Sequence, residues 1–149
     1  MLGHLASKLS QPIITGRNTA IIKHLFTDCE VRKWDGSQNT DPSFFDGVDT
    51  VYHQAGESIF HGRWNTEKKN RIWSSRVEGS RHLVDLIAKS KNWPTPLISS
   101  SAVGYYGSRK DEMPTERSAS GDDFLAMPWR QFCIGRLFCL YPALPSHSY

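Results

Sequence analysis

The chain has 149 residues, 38% of them apolar and 22% charged, and carries a net charge of +3. That length suits one domain able to bury roughly 70% of its unfolded surface. The charge is small and scattered, with no Lys/Arg strip interleaved with aromatics, which argues against a nucleic-acid partner.

In chain order, the opening "MLGHLASKLS" lacks the apolar core of a secretion signal, and no window holds the ~18 apolar residues of a membrane span. Residues 2–9 place Leu2, Leu5, Ala6 and Leu9 on one helical face. "PIIT" at 12–15 reads as a short strand. Asn18 is the expected N-cap of a helix over "TAIIKHLF", with Ile21, Ile22 and Leu25 facing inward. "CEVRKW" at 29–34 alternates like a strand, "DGSQNTDPS" is turn chemistry, and "DTVYHQAG" at 49–56 is a strand running into glycine.

A long helix is expected over 66–89, capped by Asn65 or Thr66, with Ile72, Val77, Leu83, Val84 and Ile87 as its inward stripe. Gly79 within it costs about 1 kcal/mol against alanine, which predicts close packing on a sheet. "TPLISSS" at 95–101 is the next strand, and a polar loop runs on to Asp123. Cys29, Cys133 and Cys139 form neither a disulfide framework nor a zinc knuckle, and the histidines have no metal-ligand spacing, so no metal and a reducing cytoplasm are expected.

Strands alternating with helices predict a parallel α/β sheet with right-handed crossovers. A dinucleotide-binding fold of this kind begins with a strand and a Gly-x-Gly-x-x-Gly turn, whereas this chain opens where that turn would be ending. The expected fold class is therefore a partial Rossmann-like sheet over residues 1–126, lacking the usual first strand and the C-terminal substrate lobe. In the order 3-2-1-4-5 the first strand is the central one, so "PIIT" and "DTVYHQAG" are expected to have no neighbour between them.

The blocks "HQAGESIFHGRW", "KKNRIWSSRVEGSRHLV" and "SSSAVGYYGSRKDEMPTERSASGDDFLA", in that order, closely resemble the NAD(P)-dependent epimerase family, an atypical branch of the extended short-chain dehydrogenase/reductases. The resemblance spans about residues 3–126. It implies an NADP-binding (or NAD-binding) Rossmann fold acting on a sugar-nucleotide-like or other small alcohol or carbonyl substrate. By position, Gly3 resembles the last glycine of the phosphate-binding turn, with the following helix directed at the pyrophosphate. Arg17 falls where a basic residue would meet the 2′-phosphate of NADP, although alone it reads as a solvated turn arginine. Ala55 and Gly56 resemble the strand end where the cofactor's ribose approaches the backbone. Glu57, Arg63 and Trp64 belong to a block beside the active-site mouth, either fixing that loop or touching substrate.

Ser101 matches the family's catalytic serine, whose hydroxyl would donate to a substrate oxygen as hydride moves at the adjacent carbon. Tyr105 and Tyr106, which follow it, are expected either to touch substrate or to fix their loop. Ser99 and Ser100 read as backbone-satisfying serines at a strand end. Only Tyr106 and Lys110 have the Tyr-x-x-x-Lys spacing in this region, and they fall in a loop, so the spacing reads as coincidence.

Residues 127–149 contain no Asp, Glu or Lys and break a family helix at Pro128, and they read as a divergent, frameshift-like tail. Cofactor binding is expected to be weakened and turnover impaired. The alternatives are a non-enzymatic interaction protein, using a sheet edge or the aromatic tail, and a gene product without activity.

Overall fold

The computed structural model describes residues 11–91, 93–94, 96–100 and 103–128. Gly3, Ser101 and nearly all of the 127–149 tail lie outside them. Its first ribbon pairs β1 (Ile13–Gly16) with β2 (Glu30–Lys33) in parallel, Ile13 opposite Glu30 and Gly16 opposite Lys33. The crossover is α1 (Thr19–Leu25), started by Asn18, whose Oδ1 accepts from the Ile21 N–H at 3.2 Å. That cap satisfies one of the donors a helix start leaves open.

A second ribbon pairs β3 (Val51–His53) with β4 (Leu97–Ser99), also in parallel, with Tyr52 opposite Ile98. Its crossover runs from Thr66 to Lys89 as α2 (Thr66–Trp73), a π-helical turn (Ser74–Glu78) and α3 (Gly79–Lys89). Asn65 is the cap, accepting from the Lys68 N–H at 2.8 Å. The expected strands and the long helix are thus present, the first strand shifted by one residue and the other three shorter than read. Among the described residues no strand joins the two ribbons. The position between β1 and β3, central in a Rossmann order, is where they fail to pair.

What holds the ribbons together is a side-chain core. Trp34 at the end of β2, Phe45 and the α3 residues Leu83, Leu86 and Ile87 form its centre, with Val51 and Leu97 of the second ribbon packed against it. Phe45 sits in a 3-10 turn (Pro42–Phe45) fixed to β2 by the Arg32 guanidinium, which donates to the carbonyls of Phe44 and Asp46. The predicted stripe is buried or half-buried throughout; Leu86 joins it.

Two expectations need correction. Ile21 and Leu25 do not face inward: they are 56% and 66% exposed. A two-stranded ribbon is too narrow to cover both rows of a short helix. Ile22 takes the contact instead, its Cδ1 lying 2.8 Å from where a Cβ on Gly16 would stand. Pro128, expected to break a helix, is itself helical together with residues 126 and 127, the last of the described residues. Asp123 caps this segment, its carboxylate accepting from the Ala126 N–H at 2.9 Å.

Candidate functional site

Parallel strands direct their C-terminal ends to one side, and ligands of open α/β sheets bind there. In this chain the ends of β1, β2 and β3 surround a cavity of about 320 Å³, at the lower end of the range for small-molecule sites. Thr15, Gly16 and Arg17 come from the first ribbon, Trp34 to Gly36 from the end of β2, and Ala55 to Glu57 from the end of β3. The remaining wall is helical: Ser74, Ser75, Glu78, Gly79 and His82.

That wall depends on the π turn. One extra residue per turn widens the helix, a feature recurrent at functional sites, and brings the adjacent Ser74 and Ser75 to the same side. Ser75 Oγ donates to the Ile72 carbonyl at 3.1 Å and accepts the Glu57 N–H at 2.9 Å, tying the β3 end to the turn. Ser74 Oγ donates to Glu78 at 2.7 Å. Gly79 meets the β2 loop rather than a strand: a Cβ on Gly36 would lie 3.8 Å from the Gly79 Cα. Gly36 itself has φ +84°, a conformation that costs glycine nothing. His82 bridges the same seam, with Nδ1 2.7 Å from the Gly36 carbonyl and Nε2 2.9 Å from Gln38 Nε2. This pattern assigns the proton to Nδ1 and leaves Nε2 as the acceptor.

Glu57 is the electrostatic hub. Its Oε1 accepts from Lys68 Nζ at 2.8 Å and lies 3.6 Å from Arg71 Nε, and its Oε2 lies 4.0 Å from Arg17 Nη2. The Lys68 hydrogen bond, helped by the charges of Lys68, Arg71 and Arg17, holds the carboxyl below its usual range against the opposing effect of burial. The Arg76 guanidinium packs on Gly56, where a Cβ would stand 3.2 Å from its Cζ. Burial works against the Arg76 charge and the Glu57 carboxylate supports it. The cavity is therefore polarised. Arg17 lines it beside Glu57, with Arg71 and Arg76 behind that carboxylate, while Asp35 and Glu78 supply further acceptors on the wall. Trp34, which also lines the cavity, has its Nε1 buried without a hydrogen-bond partner among the described residues, a cost of about 1–3 kcal/mol.

Beneath the site His53 is buried, its Nε2 2.9 Å from Ser80 Oγ, and desolvation pushes its pKa down to about 4. No cluster of three His, Cys, Asp or Glu side chains suited to a metal ion occurs among the described residues.

Of the residues singled out from sequence, Arg17, Ala55, Gly56 and Glu57 come together on the cavity. Arg63 and Trp64 do not line it. They lie in the loop before α2, where Trp64 meets Phe124 edge to face at 6.1 Å. Tyr105 and Tyr106 pack on each other at 5.1 Å in a 3-10 turn (Val103–Tyr106), also off the lining. Trp34, Asp35, Gly36, Ser74, Ser75, Glu78 and His82 were not foreseen. The "DGS" turn after β2 was the available signal for the first three, whereas the helical set depends on a π turn that apolar spacing does not report.

The model of the NAD dependent epimerase/dehydratase family matches residues 11–128. The chain belongs to this family. Among the members similar to it, the epimerase family protein YfhF of Bacillus subtilis is 45% identical over 80 residues, covering 53% of the chain and 26% of YfhF. The crystal structure of a nucleoside-diphosphate sugar epimerase from Corynebacterium glutamicum superposes with a TM-score of 0.54 at 31% identity, covering 87% of the chain and 32% of that protein. The human epimerase family protein SDR39U1, solved with NADPH, shares the fold at a TM-score of 0.57 and 22% identity, covering 80% of the chain and 46% of its own. This member of the epimerase/dehydratase family thus spans less than half the length of each of these relatives. Its matched region contains both ribbons and the whole cavity lining.

Proposed function

We propose that the cavity binds the adenosine half of a nicotinamide dinucleotide, NADP in preference to NAD, and that the chain is the cofactor-binding part of an epimerase or reductase. Its substrate class is a sugar-nucleotide-like or other small alcohol or carbonyl compound, and its setting the cytoplasm. The observation that carries this reading is the placement of Arg17 on a cavity at the C-terminal ends of parallel strands, beside the bare backbone of Gly16 and Gly56. The residues present fit that half of the cofactor. Arg17 offers a planar fork to a 2′-phosphate, Asp35 and Glu78 are acceptors for ribose hydroxyls, and Gly56 admits close backbone approach.

When bound, the nicotinamide ring supplies hydride transfer. The chain's own contribution beyond binding is Ser101, which follows the end of β4 and would hold a substrate oxygen by donating its hydroxyl. Tyr106 and Lys110 do not add an acid–base pair. Tyr106 ends a 3-10 turn and the exposed Lys110 has φ +51°, so they do not share a helical face. Binding is accordingly expected to be weak and turnover slow. Titration with NADPH to ~1 mM, equivalent to about −4 kcal/mol at half-saturation, is expected to change the tryptophan emission saturably. Trp34→Phe should remove most of that change, and the absence of any saturable signal from the unaltered chain would reject the reading.

A second reading, a partner-binding protein without catalysis, has one observation in its favour. Tyr52 and Ile98, opposite each other on β3 and β4, are 38% and 43% exposed, an apolar pair on the sheet face. If this face binds a partner, Tyr52→Lys with Ile98→Lys should abolish the association while leaving NADPH binding intact.

A further inference from the structure

Arg17 and Glu57 belong to different ribbons, one just past β1 and the other beyond the end of β3, and they meet at 4.0 Å. The two partners are unequal. The Arg17 side chain is 77% exposed, whereas Glu57 is 19% exposed and fixed twice, through its backbone N–H on Ser75 and through its carboxylate on Lys68, whose side chain is 4% exposed. An ion pair this long and this wet contributes little. Arg17 is thus held loosely by a carboxylate that cannot follow it. Lys68 and Arg71 already neutralise much of that carboxylate, which weakens its grip further.

From this geometry we infer that Glu57 is the resting counterion of Arg17, that an incoming phosphate takes its place, and that Lys68 sets how easily the exchange occurs. Glu57 and Lys68 are then positioning residues for phosphate selectivity. They act through Arg17 and need not touch the ligand. The inference rests on the proposed NADP-binding reading, and it adds a determinant of the preference for the cofactor bearing the extra phosphate.

The test is the ratio of NADPH to NADH dissociation constants, measured by fluorescence titration with folding checked by circular dichroism. Glu57→Gln frees Arg17 while keeping an acceptor for Lys68, and should raise the preference for NADPH about two- to fivefold, the equivalent of one exposed ion pair. Lys68→Gln strips the carboxylate of its main partner, throws it onto Arg17, and should lower the preference. Because Glu57→Gln leaves the buried Lys68 ammonium with only a neutral partner, the double variant Glu57→Gln/Lys68→Gln, a neutral hydrogen-bonded pair, serves as the second variant and should again raise it. In an Arg17→Met background none of these changes should alter the ratio. A ratio unmoved by position 57, with both nucleotides still binding, would overturn this inference and leave the cofactor reading standing. Failure of the unaltered chain to bind either nucleotide would overturn both.

Discussion

Two glycines of this chain face the same substitution with different consequences. A methyl group at Gly56 would press on the Arg76 guanidinium at 3.2 Å, the end of a flexible side chain that can swing away. At Gly121 it would stand 2.7 Å from the Gly107 backbone, which cannot move without reshaping the loop. Gly56→Ala should therefore cost less than about 1 kcal/mol of stability yet weaken NADPH binding, because it displaces an arginine and fills the floor of the cavity. Gly121→Ala should cost about 1–3 kcal/mol, the range for overpacking, and urea denaturation of both variants distinguishes the two cases. His53 makes the fold itself sensitive to pH. The unfolded imidazole takes up a proton near 6.5, the buried one only near 4. Between those values the unfolded chain binds more protons, so stability falls as the pH drops, by up to about 3 kcal/mol across the window. His53→Gln, which keeps a partner for Ser80, should flatten the dependence of unfolding free energy on pH between 6.5 and 4.

Among the elements, α3 bears most of the packing and α1 little of it. Ile87 is fully buried in the central cluster, and Ile87→Ala should cost about 2–5 kcal/mol. Leu25→Ala, on the exposed row of α1, should change stability by no more than about 0.5 kcal/mol; thermal melts of the pair test the contrast. This difference also marks how far the sequence could be read. Asn18 and Asn65 announced their helices because an N-cap is a local bargain between one side chain and one backbone donor. The stripe from Ile72 to Ile87 announced its buried face because helical spacing is local too. Ile21 and Leu25 misled for the opposite reason: their spacing is equally apolar, but what covers a helix depends on the width of the sheet beneath it. The π turn was invisible to apolar spacing, and the contact it carries, Ser75 accepting from the Glu57 N–H, joins positions 18 apart. Of the site, Ala55, Gly56 and Glu57 were reached through a family-like block, and Arg17 through its place after the first strand of the same resemblance. The wall from Ser74 to His82 came from tertiary structure alone.

At the scale of the molecule, two parallel ribbons of three or four residues per strand are too small to stand alone. The crossover helix and the Trp34–Phe45 cluster convert them into one body with a cavity where they converge. Such an arrangement stakes its stability on side chains rather than on a continuous ladder of backbone bonds, and the core substitution above should consequently loosen both ribbons together. One region is exempt. Gly107 and Gly121 cross at backbone contact, the Gly121 N–H donating to the Tyr105 carbonyl at 2.9 Å, and Arg109 reaches from Tyr106 to the Ala119 carbonyl inside the same loop. The chain between them is cinched at its neck, with Met113 at 88% exposure near its tip. A neck closed by its own atoms isolates what lies beyond it. A fluorophore, an affinity tag or several added residues grafted at Met113 should leave the melting temperature within a degree or two, offering a handle on this protein outside the cavity lining.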